Sequence, residues 1–326
     1  MASEIDNRWL NLPDSAEIHR RIASRVLGQP EAVEVAIKTI RQIQVGLSSP
    51  NKPLDTLLLM GPTGVGKTEL AITLASEFFN ENLARFDMSD YAEPDSARAF
   101  AQRLTTEITF NKGLILFDEI EKAHENVIKL FLQILDTARL RNFETGEIIS
   151  YENHLVIGTS NVGSRELAHT THSTYETLQK FVMGKAADHF SPEVMGRWRK
   201  KVVYRPLEEA VQRLICKNKI NSELNFVKAR IGLSVVPSDT LIDHFNESGI
   251  DKAYGARPLN ALIESEIRDA IAVYLCDEVH GENSNSTLWI GYSSENKRVM
   301  LANSLESFTI GKSAVNVRTL LSSSKS

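Results

Sequence analysis

The sequence predicts an α/β protein: a parallel sheet flanked by helices, followed by a smaller helical domain that closes on a strand pair. Three observations predict it. Short apolar runs of strand length alternate with patterns of helical period through the first two thirds of the chain. Beyond Pro206 the pattern turns helical. A glycine-rich turn joins the first apolar run directly to a helical pattern, the arrangement of a strand-to-helix crossover.

The runs come in order as TLLLM at 56–60, LARFD at 83–87, GLILFD at 113–118, HLVIGTS at 154–160 and KVVYRPL at 201–207. Nearly continuous apolarity marks strands covered on both faces, as parallel strands are. Between the third and fourth runs, VIKLFLQIL places Val127, Leu130, Phe131, Ile134 and Leu135 on one helical face. FETGE around Gly146 reads as a hairpin tip inserted before the fourth strand. EEAVQRLICKNKINSELNFVKAR and RPLNALIESEIRDAIAVYLCDEV are helical, with an extended interlude at SVVPS, and STLWIGY and RVMLAN form the closing pair. The expected organisation is a lead-in over 1–20, a large α/β domain over 21–206, a helical domain over 207–302 and a Ser-rich tail over 303–326. In such a sheet the ligand site lies at the carboxyl ends of the strands.

Composition narrows the function classes. The 326 residues suffice for one large and one small domain, and 42% hydrophobic content is normal for a packed core. With 37 basic and 42 acidic residues the net charge is −5, which gives no global attraction for nucleic acid or an anionic membrane. Cys216 and Cys276 have no metal or redox spacing and read as helix cysteines in a reducing compartment. MASEIDNRW is polar where a signal peptide needs an apolar core, and no run approaches the ~18 apolar residues of a spanning helix. The expectation is a soluble cytoplasmic protein without membrane insertion.

GPTGVGKT at 61–68 fits the phosphate-loop pattern GxxxxGK[ST] between a strand and a helix. Gly61, Pro62, Thr63, Gly64, Val65 and Gly66 form a loop whose backbone N–H groups converge on phosphate oxygens, because the glycines remove side-chain obstruction. Lys67 adds charge at the outer phosphates, and Thr68 offers its hydroxyl to magnesium. LILFDE at 114–119 ends a strand in two acids. Asp118 is expected in the Mg2+ shell with Thr68, and Glu119 is expected to polarise the attacking water. The expected ligands are therefore ATP and Mg2+. Asn161, after the fourth strand, is placed to orient that water, although Asn in this position also serves as a turn former. Arg197 in FSPEVMGRW and Arg257 in YGARPL are, by composition alone, ordinary surface arginines.

From about residue 15 to 300 the chain resembles the second ATPase module of the Clp/heat-shock unfoldases, within the AAA+ superfamily. The resemblance rests on an ordered series: RVLGQPEAV, GLSSPNKP, GPTGVGKTEL, RFDMSDY, LFDEIEKAH, FLQILD, TSNVGS, FSPEVMGR and YGARPL. It implies that Val26 and Leu27 line the adenine pocket and that Asn161 is the first sensor. It also implies that Arg257 reaches the phosphates as the second sensor and that Arg197 is an arginine finger. A finger acting in the next subunit's site makes contacts head to tail, and the family precedent is a hexamer.

Departures from the family pattern shape the functional expectation. The interval AEPDSARAFAQRLTTEITFNKG at 92–113 stands where such unfoldases carry an aromatic pore loop between glycines. Here the interval is short, and Phe100 and Phe110 read as buried helix or strand-edge residues. The expectation is a chain without a first ATPase module or a recruiting domain, and 162–189 lacks the IGL or IGF tripeptide used to dock a ClpP-type peptidase. The IGL at Ile231, Gly232 and Leu233 reads as a helix-ending turn. The expected function is an ATP-hydrolysing ring that remodels or assembles a specific protein partner without general threading. The alternatives are a nucleotide-controlled scaffold and a DNA-processing helper acting through the basic segment RWRKK at 197–201.

Overall fold

A computed structural model describes residues 14–167, 174–249, 257–277 and 287–308. The chain forms two compact units, Met1–Leu207 and Glu208–Ser326.

In the first unit α1 (Ser15–Ala23) and α2 (Pro30–Gln44) precede β1 (Asp55–Met60), α3 (Lys67–Phe78), β2 (Leu83–Asp87), α4 (Ser96–Glu107) and β3 (Gly113–Asp118). Next come α5 (Glu125–Thr137), the hairpin strands β4 (Arg139–Arg141) and β5 (Ile148–Ser150), and β6 (His154–Ser160). The short α6 (Ser164–Leu167), then α7 (Tyr175–His189), α8 (Pro192–Arg197) and β7 (Lys200–Val203) complete the unit. Five strands lie in the order β2-β3-β6-β1-β7, each pair parallel. Every residue of β1, β3 and β6 is buried, which accounts for their apolar middles.

Period-two alternation divides the core between the two faces. Leu58, Met60, Phe86, Phe117 and Val156 pack with residues of α4, α5, α7 and α8, and Leu57, Leu59, Leu116 and Ile157 pack with those of α1 to α3. Trp198 is the largest side chain buried on the first face, and it lies against β6 where a Cβ on Gly158 would sit 2.6 Å from the indole. Glycine is required there by close approach. The strand read at 201–207 is shorter than expected, ending at Val203. Tyr204 N still donates to Met60 O at 2.7 Å, but Pro206 has no N–H to continue the ladder.

The expected hairpin is present. Asn142 Oδ1 accepts from the amides of Glu144 and Thr145 at 2.8 and 3.1 Å, and Gly146 takes φ 75°. The bridge at 92–113 is an amphipathic helix, α4, with Phe100, Ala101 and Leu104 buried. The ring of Phe100 contacts Phe86, Phe117 and Tyr91 at centroid distances of 5.9, 5.8 and 4.9 Å. Phe110 is half-buried and lies 5.5 Å from the ring of His154. Phe100 belongs to the fold's interior, and Phe110, in the segment after α4, packs partly buried against the same core.

The second unit contains α9 (Glu209–Ile231), β8 (Val236–Pro237), α10 (Asp239–Gly249), α11 (Arg257–Asp277), β9 (Trp289–Ser293) and β10 (Arg298–Ala302). Ile220, Leu224, Leu241, Phe245, Leu259 and Ile290 share its core. Gly232 ends α9 at φ 76°, so the IGL tripeptide is the helix-terminating turn. The strand pair is a three-stranded sheet, because the interlude at SVVPS supplies β8 parallel to β9. Cys216 is buried and Cys276 exposed, both as free thiols. Burial raises the Cys216 thiol to about 11. Among the described residues no helix is long and apolar enough to cross a membrane. Most of the expected lead-in and tail lies outside the described residues.

Candidate functional site

The loop 61–66 leaves β1 and ends at α3, so its backbone is pinned between a buried strand and a helix start. Gly61, Gly64 and Gly66 take φ of 141°, 74° and 101°, values that residues with a Cβ rarely adopt. At Gly61 a Cβ would also lie 2.8 Å from the Tyr204 carbonyl oxygen. The first N–H groups of α3 have no intrahelical partner, which makes its start favourable for an anion. Lys67, only 7% exposed, donates from Nζ to Gly61 O at 2.7 Å, Pro62 O at 2.5 Å and Asn161 Oδ1 at 2.8 Å. A buried ammonium held by carbonyls and an amide oxygen is a charge poised for stronger anionic acceptors.

Asp118 closes β3 and is 3% exposed. Its Oδ1 accepts from Thr159 Oγ1 at 2.5 Å, its Oδ2 accepts from Arg85 Nη2 at 2.6 Å, and Thr68 Oγ1 lies 3.3 Å from both oxygens. Glu119 follows in the left-handed region at φ 58°, uncommon for a residue with a side chain. Its N–H donates to Thr159 Oγ1 at 2.9 Å, which supports the strained backbone. The Glu119 carboxylate pairs with Lys122, and that hydrogen bond raises the ammonium above the usual lysine range.

Asn161 follows β6. Its side chain meets Lys67, and its N–H donates to Glu121 Oε1 at 2.9 Å. The other oxygen of Glu121 is buried without a hydrogen-bond partner. Val26 is buried and Leu27 half-buried in the turn between α1 and α2. Gln29, two residues on, donates to Arg205 O at 2.9 Å and to Val65 O at 3.4 Å, and accepts from Arg205 N at 3.0 Å. One amide thus ties this turn to the phosphate loop and to the end of β7.

Thr68, Lys67, Asp118, Glu119 and Asn161 therefore converge at the carboxyl ends of β1, β3 and β6. Arg197 belongs to a different set of contacts. Its guanidinium pairs with Asp136 of α5 at 2.6 Å and reaches Glu193 at 3.6 Å, with 37% of the side chain exposed. Arg257 is the first residue of α11 in the other unit, and its side chain lies outside the described residues. The basic segment RWRKK is largely committed to the fold. Lys200 pairs with Asp55 at 2.7 Å, Lys201 donates to Trp198 O at 2.7 Å, Trp198 is core, and Arg199 is exposed.

Sequence reasoning passed over Arg85, Gln29, Thr159, Glu121 and Lys122. A basic residue inside the strand-like run LARFD is a signal for Arg85; Thr159, two residues before Asn161, has no local signal. Among the described residues no group of three or more His, Cys, Asp or Glu forms an all-protein metal cage. A hydroxyl beside a carboxylate is instead the oxygen donor pair that suits magnesium completed by phosphate and water.

This sheet, loop and acid pair define a P-loop ATPase of the AAA+ class, and residues 52–201 match the AAA domain (Cdc48 subfamily). Residues 207–288 match the C-terminal, D2-small domain of ClpB protein. The chain belongs to the Clp-like AAA+ ATPases. It is similar to "Chaperone protein ClpB2, chloroplastic" of Oryza sativa subsp. japonica, with 34% identity over 302 residues, covering 83% of this chain and 31% of that protein. "Chaperone protein ClpB" of Prochlorococcus marinus is 31% identical over 316 residues, covering 88% of this chain and 36% of its own. "ATP-dependent Clp protease ATP-binding subunit ClpE" of Lactococcus lactis is 36% identical over 283 residues, covering 81% and 36%. The chain spans about a third of the length of these curated relatives.

Proposed function

We propose that this chain hydrolyses ATP as one protomer of a head-to-tail ring, and uses the cycle to remodel or assemble a specific protein partner without general polypeptide threading. The observation that carries the hydrolytic part is the meeting of Lys67, Thr68, Asp118, Glu119 and Asn161 at one sheet edge. Lys67 gives up its carbonyl acceptors for the outer phosphate oxygens, because ionised acceptors bind an ammonium more strongly than neutral ones. That exchange releases the Asn161 amide to orient water, which Glu119 polarises once its carboxylate leaves Lys122. Thr68 and Asp118 would hold magnesium, which supplies neutralisation of phosphate charge when bound. Val26 and Leu27 offer an apolar wall for adenine, and Arg257 is assigned to the phosphates as second sensor.

Arg197 supports the oligomeric part. It is half-exposed and paired within its own protomer by partners it can exchange. A finger offered to a neighbour needs that exposure. The absence of threading is supported by the bridge at 92–113, where α4 turns its one aromatic into the core. No ClpP-type peptidase and no nucleic acid is assigned as partner, and the assigned compartment is the cytoplasm.

Arg197→Ala tests the shared site. Turnover falls by ~10³ or more while the ATP dissociation constant stays within a few-fold of wild type. Wild-type turnover in that variant, or undiminished specific activity in dilute, monomeric protein, removes the head-to-tail reading.

A further inference from the structure

We propose that Arg85 is a built-in competitor of the metal ion at Asp118: it neutralises the buried carboxylate while no cation is there and gives way when one takes the oxygen it holds. The inference rests on the reading of Asp118 as a metal-shell residue given above.

Counting acceptor positions leads to it. A carboxylate offers about four lone-pair sites. At Asp118, Oδ1 takes the Thr159 hydroxyl at 2.5 Å and Oδ2 takes Arg85 at 2.6 Å, while the Thr68 hydroxyl lies 3.3 Å from each. The single Thr68 proton fills only one further position, so a cation bound directly to this group meets the Arg85 guanidinium as a like charge sharing one carboxylate, and the two oppose each other. Thr159 is buried and simultaneously accepts the Glu119 N–H at 2.9 Å, so moving it would release the strained backbone of Glu119. Thr68 is itself a candidate metal ligand. Arg85 is the donor free to go: its side chain is 46% exposed against 4% for Asp118. In the register of β2 with β3, Asp87 is the partner of Asp118, and Arg85 precedes it by two residues on the same strand face. From there the guanidinium reaches the carboxylate at 2.6 Å with nearly half of the side chain exposed.

The energetics set a direction. An ionised carboxylate this deeply buried is unfavourable without a counter-charge. Arg85 therefore stabilises the metal-free protein, and the same contact opposes metal loading. Removing it must do two opposite things: weaken the unloaded fold and tighten the metal.

The test uses the full chain with a non-hydrolysable ATP analogue and Mn2+, with free Mn2+ read by electron paramagnetic resonance. Arg85→Gln is expected to tighten Mn2+ binding about fivefold, the worth of an ion pair with one half-exposed partner. Arg85→Lys, which keeps the charge but loses the planar fork, is expected to fall between wild type and Gln. A second readout is the melting temperature. Arg85→Gln lowers it without metal and nucleotide, and the deficit shrinks once Mn2+ and analogue saturate the site, whereas a purely structural role would lower both equally. Unchanged or weaker Mn2+ binding in Arg85→Gln, with Asp118→Asn clearly weakened, overturns the competition alone. Undiminished Mn2+ binding in Asp118→Asn removes the metal-shell reading, and the competition falls with it.

Discussion

The two edges of the five-stranded sheet treat polar groups in opposite ways. At the carboxyl edge, Gly61, Gly64, Gly66 and Glu119 all have positive φ, and a buried ammonium and a buried carboxylate face a loop. At the amino edge most polar groups are paired within the fold, His154 Nδ1 being buried without a hydrogen-bond partner. Asp55 takes its neighbour's Thr56 N–H at 2.8 Å and the Lys200 ammonium at 2.7 Å. His154 contacts Phe110 O at 3.2 Å through Nε2 and packs beside the rings of Phe110 and Tyr151. The glycine-dependent loop and the exchangeable charged contacts lie on one side of the sheet, while Asn51, Asn80 and Glu81, which precede β1 and β2 on the other, also take positive φ. Polar groups at the amino edge serve the fold, and those at the carboxyl edge are held ready for something else.

Substitutions at the two edges should separate activity from stability. The largest effect is expected at Glu119→Gln, which keeps shape and hydrogen bonding but removes the base. Phosphate release falls by roughly 10³ while equilibrium ATP binding persists. Comparable loss of ATP binding would show that Glu119 holds the loop rather than acts on water. At the opposite edge Asp55→Asn deprives Lys200 of its counter-charge, lowering unfolding stability by about 2 kcal/mol in a urea titration. Turnover of the folded fraction at 25 °C stays at the wild-type level; a parallel loss of turnover would erase the contrast between the edges.

The smallest effect is a pH dependence at His154. Burial lowers the pKa of its imidazole, so the unfolded chain takes up the proton at higher pH than the folded one. Stability therefore declines as pH falls below the unfolded value of about 6.5 toward the lower folded value. His154→Phe removes that contribution, and melting temperatures measured between about pH 7 and pH 5 should then fall less steeply than in wild type. An unaltered slope would place the acid sensitivity elsewhere.

The sheet was legible because the middles of β1, β3 and β6 are buried on both faces and apolar, their polar residues standing at the strand ends. Where burial is partial the text is weaker. KVVYRPL reads as seven residues of strand, but only Lys200–Val203 pairs, and SVVPS conceals a third strand of the small sheet. The phosphate loop was legible because its residues are contiguous and each answers a local demand. Gln29, Thr159 and Arg85 were not, since each acts on a residue tens of positions away that the fold brings alongside.

By itself the sequence determined the five strands of the large sheet, the glycine-dependent backbone of the phosphate loop and the acids at the end of β3. These follow from steric limits and burial patterns that neighbouring residues carry. Tertiary structure alone decided what Asp118, Lys67 and Arg197 touch. The pairs of Asp118 with Arg85, Lys67 with Asn161 and Arg197 with Asp136 form at the spacing that strand register and helix packing impose, and no short stretch of chain contains that spacing.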